Sequence, residues 1–400
     1  MEEININHNI LRWCREQAGF TPEEVVNLAD ITPIKATKNK DEISSIDRLQ
    51  ELEQGTRKPT LSQLKSFAKI YQRPIMTFFL ENPPKIENKL IDFRTIDSMP
   101  HEKDSPEFAR LKRRLINLQE ELSVLERESG AIPLDFIGVV STNVDIIEFI
   151  KLVRQKLDIS FAQQLQAKDD EDLFKILRDK IQDTGVYVVL EGDLGSHHSS
   201  ISTEEFRGIA ITDVFAPLIA INSYDYKQAM LFTLLHEFAH IWLGDSSVSN
   251  VSVTTRSVNE KEIFCNKFAA EFLLPTQEVL QKIDLSFNTD NIFDIVSNYA
   301  RQFKVSIMVM ARRLYDLGKI NNNIYTEIVN TIRRNVAKKK ERQREKGNTS
   351  GPSRNVLDKY RLGTKVISTV LGAAYSGRMS MVDASVLLNV NSSRFDRIQP

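Results

Sequence analysis

The stretch Leu231-Phe-Thr-Leu-Leu-His236-Glu237-Phe-Ala-His240-Ile-Trp242 contains the pattern His-Glu-x-x-His. On an α-helix, residues four positions apart share one face, so His236 and His240 can present their imidazoles to a single zinc ion. Glu237 stands beside them, where it can act as the general base on a zinc-activated water. The pattern therefore indicates a catalytic zinc site on a helix.

The residues around the two histidines are apolar on almost every side of this helix, which predicts that the helix is buried. They are Met230, Leu231, Leu234, Leu235, Phe238, Ala239, Ile241 and Trp242. Two histidines and a glutamate inside such a helix need partners, because burying unpaired polar groups costs free energy. A metal ion would supply them, although a pattern of three fixed residues also arises by chance.

The composition is that of a globular protein with more than one domain. The 400 residues exceed the usual size of a single domain, so two or three domains are expected. The hydrophobic fraction of 41% and the charged fraction of 27% are typical of soluble proteins. A net charge of -1 gives no global argument for nucleic acid, so any such binding must come from local patches.

Three features predict a cytoplasmic location. Cys14 and Cys265 lie far apart and form no disulfide framework, which fits a reducing compartment. The amino terminus, Met-Glu-Glu-Ile-Asn, is acidic and polar, unlike a signal peptide. No apolar run is long enough to span a bilayer, so no membrane partner is expected.

Residues 1–84 are predicted to form a domain of five short helices. Thr21-Pro-Glu-Glu24 is a strong helix start, with Thr as the N-cap and Pro in the first turn. Further helices are predicted from Ser44 to Gln54, from Pro59-Thr60 onward and from Ile75 to Leu80. Short helices in this order suggest a helix-turn-helix unit.

Three patterns in this segment resemble the Cro/repressor-type (XRE) family. They are Leu11-Arg12-x-x-Arg15-Glu16-x-x-Gly19, Thr21-x-Glu23-Glu24-Val25 and Leu52-Glu53-x-Gly55-x-x-x-Pro59-Thr60-x-x-Gln63-Leu64. The resemblance implies that the helix from Ser44 to Gln54 is a recognition helix and that DNA is a partner. The residues it places on DNA are Ser44, Ser45, Asp47, Arg48 and Gln50, with Arg57 and Lys58 on phosphate.

One departure from the XRE pattern leaves an alternative open. The loop from Asp30 to Glu42 is longer than the tight turn of the motif and can displace the recognition helix. The alternative is a helical adaptor domain that does not bind DNA. Pro83-Pro84 ends the domain, because a double proline cannot continue a helix.

Helices are next predicted from Ser105 to Gly130, from Asp145 to Leu157 and from Asp170 to Thr184. The first carries the basic cluster Arg110-Leu-Lys-Arg-Arg114, interpreted as a solvated face, with a DNA contact as the less favoured reading. His197 and His198 lie in a Gly/Ser-rich loop and are interpreted as exposed and inert. Their alternative role is electrophilic catalysis near the zinc.

Val186 to Leu190, Gly208 to Thr212 and Leu218 to Asn222 are predicted strands of one small sheet. Pro217 argues against continuous pairing of the last two. An extended peptide can add as a strand to the edge of such a sheet. The predicted fold class is mainly α with a small β-sheet, α+β.

A catalytic zinc usually takes three protein ligands, so one remains to be found. Glu262 ranks first, on a second mostly apolar helix, with Glu260 and Glu271 well behind. Asn266 lies one turn after Glu262 and can hydrogen-bond a ligand histidine from behind. Cys265 is a possible thiolate ligand, but a small buried residue is the better interpretation.

The two helices together resemble the ImmA/IrrE family of zinc metallopeptidases. The matching residues are His236-Glu-x-x-His240 and Glu262-x-x-Cys265-Asn266-x-Phe-Ala-Ala-Glu-x-Leu-Leu-Pro275, supported by Phe206-Arg-Gly208 and Pro217-x-Ile-x-x-Asn222. Lys69-x-Tyr71-x-Arg73-Pro74-x-x-x-Phe78-Phe-Leu80, Pro83-Pro84 and Asp92-Phe-Arg94 resemble the repressor-type domain fused to such peptidases.

This resemblance implies a gluzincin-like site, with His236, His240 and Glu262 on Zn²⁺ and Glu237 as the base. It also implies a protein substrate of repressor or antitoxin type, whose cleavage switches a stress, mobile-element or defence response. The donor that holds the oxyanion stays open among Arg207, Tyr224, Tyr299 and the two loop histidines. The peptidase domain is predicted at residues 85–320.

The remaining residues are predicted as a basic, flexible linker at 321–354 and a small helical domain at 355–400. The basic run from Arg333 to Lys346 is interpreted as a solvated helix end or a disordered arm, slightly ahead of a nucleic-acid contact. Gly347 to Ser353 has the composition of a flexible linker. The last helices can form a second helix-turn-helix, a lid or a dimer surface.

Two functions follow from these observations. The first is a zinc endopeptidase with a DNA-binding domain. The second is a non-enzymatic DNA-binding regulator, or a toxin–antitoxin component, that uses the peptidase fold as a sensor or a partner platform. Glu237 favours the enzyme, since a binding-only zinc site has no need of that base.

Overall fold

The computed structural model describes residues 3–29, 31–33, 43–83, 91–92, 95–96, 99–100, 104–194, 200–249, 259–283, 291–345 and 353–399. The chain is mainly helical with a small mixed sheet, which confirms the predicted α+β class. None of the described helices is both long and apolar enough to cross a bilayer.

The N-terminal helical domain, residues 3–83, has its own hydrophobic core. Its helices are α1 (His8–Gln17), α2 (Pro22–Leu28), α3 (Ser45–Gln54) and α4 (Leu61–Tyr71), followed by a 3-10 helix (Ile75–Phe79). Thr21 forms a capping box at the predicted helix start, and Thr60 forms another at the start of α4. Arg15 holds α1 to α3 through a largely buried ion pair, with its Nε 2.7 Å from Glu53 Oε1.

The described strands are β1 (Ile91–Asp92), β2 (Thr95–Ile96), β3 (Met99–Pro100), β4 (Tyr187–Glu191), β5 (Gly208–Ile211), β6 (Leu218–Asn222) and β7 (Ser247–Ser249). β2 and β3 form a separate two-stranded sheet. The main sheet has the order β1-β7-β5-β6-β4. In it β5 is antiparallel to both of its neighbours, whereas β4 is parallel to β6 and β1 is parallel to β7.

The prediction that Pro217 interrupts the pairing of β5 with β6 is wrong. The two strands pair without a break from Gly208 opposite Ile221 to Ile211 opposite Leu218. Pro217 lies one residue before this ladder, where its missing N–H costs no hydrogen bond. Its carbonyl accepts a hydrogen bond from the Tyr187 N–H at 2.8 Å.

The other helices are α5 (Pro106–Glu128), α6 (Ile146–Lys156), α7 (Phe161–Gln166), α8 (Asp170–Asp183), α9 (Lys227–Leu243), α10 (Glu260–Leu273), α11 (Thr276–Lys282), α12 (Ile292–Phe303), α13 (Ile307–Asp316), α14 (Asn322–Glu345), α15 (Arg354–Tyr375), α16 (Met381–Leu388) and α17 (Phe395–Ile398). They cover both faces of the main sheet. Val188 and Ile219 share one core with α8 and α9, while Tyr187 and Val189 share another with α5 and α15. Burial on both faces explains the unbroken apolar runs of these strands.

The C-terminal helices form part of this second core, which differs from the predicted separate domain at 355–400. Leu362, Val366 and Val370 of α15 pack with Tyr187 of β4. α15 is kinked at Gly363, where φ is +75° and a Cβ would lie 2.7 Å from Arg178 Nη2. The segment is therefore a layer over the sheet face opposite α9.

The interpretation of the basic cluster on α5 as a solvated face is wrong. Arg114 is buried and binds Glu191 through both terminal nitrogens, at 2.9 and 3.1 Å. Arg113 donates to the Ala18 carbonyl at 2.6 Å, and Arg110 stacks 4.0 Å from the centre of the Phe20 ring. The cluster holds the N-terminal helical domain against α5, a contact that local charge patterning does not encode.

The predicted flexible linker at 321–354 begins instead as the ordered helix α14. Ile328 and Val329 of this helix are buried, and α14 packs on α13. The helix continues through the basic run to Glu345, in agreement with its interpretation as a helix end. The Gly/Ser/Pro-rich segment that was predicted to be flexible lies mostly outside the described residues.

Candidate metal centre

α9 lies in the core between the main sheet and the helices α8 and α10. It begins after Tyr226 and ends at Gly244, whose φ of +69° closes the helix in the left-handed region. The side chains of His236, Glu237 and His240 are at most 1% exposed. The apolar surroundings in the sequence therefore produce a buried helix with three ionisable groups inside the core.

The structure brings the three predicted ligands together. His236 Nε2 lies 3.3 Å from Glu262 Oε2, and His240 Nε2 lies 3.0 Å from Glu262 Oε1. The two Nε2 atoms are 3.2 Å apart, and the ligand atoms all lie within 4.8 Å of one another. Glu262 comes from the first turn of α10, which packs along α9.

These donors fit a zinc ion. Two imidazole nitrogens and a carboxylate are a common set for catalytic zinc, and this set converges on one point. Apart from the two imidazoles, the oxygens of Glu262 have no hydrogen-bond partner among the described residues. A buried carboxylate without further donors is costly, and a cation between these groups satisfies all three.

The charged groups of the cluster shift one another's pKa values. Burial raises the pKa of Glu262, but the two neighbouring imidazoles outweigh it and bring that pKa to about 2. Burial lowers the pKa of His236, yet the nearby Glu262 and Glu237 carboxylates and the Asn266 side chain raise it overall. Asn266 lies on the same helix as Glu262, and its hydrogen bond to a ligand histidine remains a prediction.

Glu237 points to the sheet side of α9. Its Oε1 accepts a hydrogen bond from the Ser249 hydroxyl, and the Ser247 hydroxyl lies 3.5 Å from its Oε2. Gly208 of β5 leaves the space for this carboxyl, since a Cβ at that position would lie 2.2 Å from Oε1. Burial raises the pKa of Glu237, which strengthens this carboxylate as a proton acceptor.

Sequence reasoning missed the two serines that hold Glu237. Ser247 and Ser249 are small polar residues in a short stretch without a recognisable motif. Gly208 is part of the family pattern Phe206-Arg-Gly208, but the sequence assigns it no function in the site. The signal that links them is the strand register, in which Gly208 pairs directly with Ser249.

The other candidate ligands lie elsewhere or lack the right chemistry. Glu260 is exposed and accepts a hydrogen bond from Thr142 at 2.8 Å. Glu271 is paired with Arg313 and accepts from Thr276. Burial raises the pKa of the Cys265 thiol well above its usual range, which opposes a thiolate ligand.

Two of the groups considered for the oxyanion are already engaged. Arg207 forms an ion pair with Asp225, and the Tyr224 hydroxyl donates to Asp193 at 2.7 Å. Tyr299 lies on α12. His197 and His198 fall outside the described residues.

The residues predicted to contact DNA differ in their availability. Gln50 and Lys58 are exposed, and Ser45 is half-buried. Ser44 caps α3 by accepting from the Asp47 N–H, and its hydroxyl donates to the Asp47 carboxylate. Two arginines are engaged within the domain: Arg48 hydrogen-bonds the Thr32 carbonyl, and Arg57 pairs with Glu51 at 2.8 Å.

Between α2 and α3 the chain takes sixteen residues, which departs from a tight helix-turn-helix turn. Most of the loop that was predicted to displace the recognition helix lies outside the described residues. α3 nevertheless packs on both α1 and α2. Helices are thus present where the XRE resemblance expects them, and DNA binding remains a prediction.

Comparison with known families supports the peptidase assignment for the central part of the chain. Residues 182–315 match the family model Peptidase_M78, the IrrE N-terminal-like domain. The matched range contains β4 to β7, α9 and α10, and with them His236, Glu237, His240 and Glu262. Comparisons with curated proteins and with solved structures give no match.

The IrrE-like domain thus carries the whole candidate metal centre. Its family is one of peptidases, and the buried His-His-Glu cluster can bind a metal. The match does not reach the N-terminal helical domain, nor does it include α5 and α15, which complete the second core of the sheet.

Replacing any of the three ligands should abolish metal binding. We expect wild-type protein to retain about one zinc per chain after dialysis, and His236→Ala, His240→Ala or Glu262→Gln to retain below about 0.1. Glu260→Gln is the matched control on the same helix and should keep the metal. Elemental analysis of purified protein measures this, and equal zinc in the Glu262→Gln and Glu260→Gln variants would contradict the assignment.

Proposed function

We propose that this protein is a zinc-dependent endopeptidase with a DNA-binding domain, and that it cleaves a regulatory protein of repressor or antitoxin type. The observation that carries the proposal is the convergence of His236, His240 and Glu262, with Glu237 beside them. The match of residues 182–315 to a peptidase family supports the same reading. In this proposal cleavage switches a stress, mobile-element or defence response.

His236, His240 and Glu262 would hold the zinc ion. A zinc ion held there would supply Lewis-acid chemistry to a water molecule and to the scissile carbonyl. Glu237 would be the group that accepts a proton from the attacking water and returns it to the leaving amine. Ser249 and Ser247 orient the carboxyl from the β7 side, and the surrounding apolar core excludes other water from it.

The sheet suggests how a protein substrate is held. An extended peptide can bind by adding a strand to a sheet edge, with its backbone satisfied by the edge strand. β7 carries Ser247 and Ser249, so the edge formed by β1 beside β7 is the one nearer to Glu237. β1 pairs with β7 and forms that edge here, and we infer that a substrate strand takes its place.

The central test replaces the base without removing the ligands. Glu237→Gln should keep its zinc but lose cleavage of a repressor- or antitoxin-like partner by about 10²-fold or more, because the amide cannot accept the proton. Cleavage is measured by gel and mass spectrometry on candidate partners, taken first from proteins encoded by neighbouring genes. Zinc content of both proteins is the control.

One observation favours the non-enzymatic alternative, a DNA-binding regulator that uses the domain as a sensor or partner platform. The four side chains of the centre are at most 1% exposed, so no substrate atom reaches them without movement of the surrounding chain. The same pair of proteins discriminates the two functions. If wild type and Glu237→Gln both hold zinc and act identically on the partner and on promoter output, the enzyme proposal fails.

A second variant tests the position of the base from the opposite strand. Gly208→Ala places a methyl group where Glu237 Oε1 lies, so the carboxyl must move. We expect zinc to be retained and cleavage to fall by about 10²-fold, since small misplacements of a catalytic group have effects of this size. Gly372→Ala is the control, because a Cβ there meets nothing within 4 Å. Equal cleavage by the two variants would place the base elsewhere.

The DNA-binding part of the proposal rests on α3 and on two exposed residues, Gln50 and Lys58. Lys58→Ala should lower the slope of log affinity against log salt by about 0.9, the value of one phosphate contact. Gln50→Ala should change sequence preference and leave that slope unchanged. Mobility-shift assays with duplex DNA at several salt concentrations measure both, with exposed Lys151→Ala as the control. If no mobility shift occurs at low salt, the DNA-binding proposal fails and the alternative of an adaptor domain is favoured.

A further inference from the structure

A cavity of about 610 Å³ opens between the N-terminal helical domain and the C-terminal helices. On one side it is lined by α4, and on the other by α15, α16 and the residues that precede α17. It lies apart from the metal centre, in a region outside residues 182–315 except for Leu194. The volume is that of a typical site for a small ligand.

Four cationic side chains line this cavity: Lys65, Lys69, Arg354 and Arg394. None of the described lining residues is acidic. The lysines and the arginines come from opposite ends of the chain, so only the packing of the two parts assembles them. Arg394 is paired with Asp358, whereas Lys65, Lys69 and Arg354 carry like charges that repel each other around the cavity. A bound anion removes that repulsion.

Arg394 is held in place for such a ligand. Its Nη2 donates to Asn355 Oδ1 at 2.7 Å and to Asp358 Oδ2 at 2.6 Å, and its Nε donates to the same asparagine. A guanidinium fixed in this way loses little freedom when it binds a phosphate. Lys65, Lys69 and Arg354 are exposed, and no described ion pair includes them.

The rest of the cavity wall combines polar and apolar residues. Asn389 and Asn391 offer amide donors and acceptors, while Val386 and Val390 are buried apolar residues. Phosphate groups suit the cationic side of the cavity, and an aromatic base suits the apolar side with its few polar groups. We propose that this cavity binds a small phosphate-bearing ligand of the nucleotide class.

Binding there would act on the contact between the two parts of the chain. α4 packs on α16, and Ile75, the first residue of the 3-10 helix after α4, donates its backbone N–H to Asp383 of α16 at 2.9 Å. A ligand whose phosphates contact Lys69 on one side and Arg354 on the other bridges them. The nucleotide therefore strengthens the docking of the N-terminal helical domain on the rest of the molecule.

The test is isothermal titration of the full-length protein with three probes: adenosine triphosphate, inorganic tripolyphosphate and adenosine. We expect the triphosphate to bind most tightly, tripolyphosphate more weakly and adenosine not at all. Lys69→Gln and Arg354→Gln should each weaken binding of the triphosphate by about tenfold, as expected for a lost charge-assisted contact. Lys151→Gln, an exposed lysine outside the cavity, should leave it unchanged.

Thermal melting and zinc content, which should match wild type, show that the two variants fold. The proposal is overturned if neither triphosphate nor tripolyphosphate binds at millimolar concentration, or if Lys69→Gln and Arg354→Gln bind as tightly as Lys151→Gln. It is also overturned if short duplex DNA, and not the nucleotide, shows the dependence on Lys69 and Arg354. None of these readouts requires peptidase activity, so the peptidase proposal can fail independently.

Discussion

The burial of three ionisable groups on one apolar helix is the constraint on which the rest of the structure depends. α9 carries His236, Glu237 and His240 into the core, where each would cost several kcal/mol without a partner. α10 supplies Glu262 for the histidines, and β7 supplies Ser249 for Glu237. These partners meet only if both elements dock on α9 in one register, and loss of either docking leaves a buried ionisable group without its partner.

The main sheet has a second apolar face that the rest of the fold must cover. Its inner face packs on α9, which leaves an equally apolar outer face to be covered. α5 and α15, from opposite sides of the IrrE-like domain in sequence, cover it together. Arg114 and Arg361, one from each helix, share the buried carboxylate of Glu191 at the end of β4. The C-terminal segment is thus a structural part of the body that carries the candidate metal centre.

Local features were predictable because their physical causes are local. The helix starts at Thr21 and Thr60 follow from capping boxes, and the strands follow from short apolar, β-branched runs. Errors arose where long-range packing changed the environment of a residue. The Arg110 to Arg114 cluster has the composition of a solvated face, yet the N-terminal helical domain and Glu191 cover it.

The metal centre likewise has features that the sequence predicts and features that only the tertiary structure shows. His236 and His240 share a helix face because of the 3.6-residue period. The pattern around Glu262 marks a polar position on a second apolar helix. These three candidates can therefore be found from the sequence alone. Only the tertiary structure shows that the ligand atoms lie within 4.8 Å of one another and that Glu237 lies between Gly208 and Ser249. The cationic cavity at the domain junction is likewise visible only in the tertiary structure. Periodicity acts over a few residues along the chain, whereas each of these contacts joins elements whose relative position only the packed core determines.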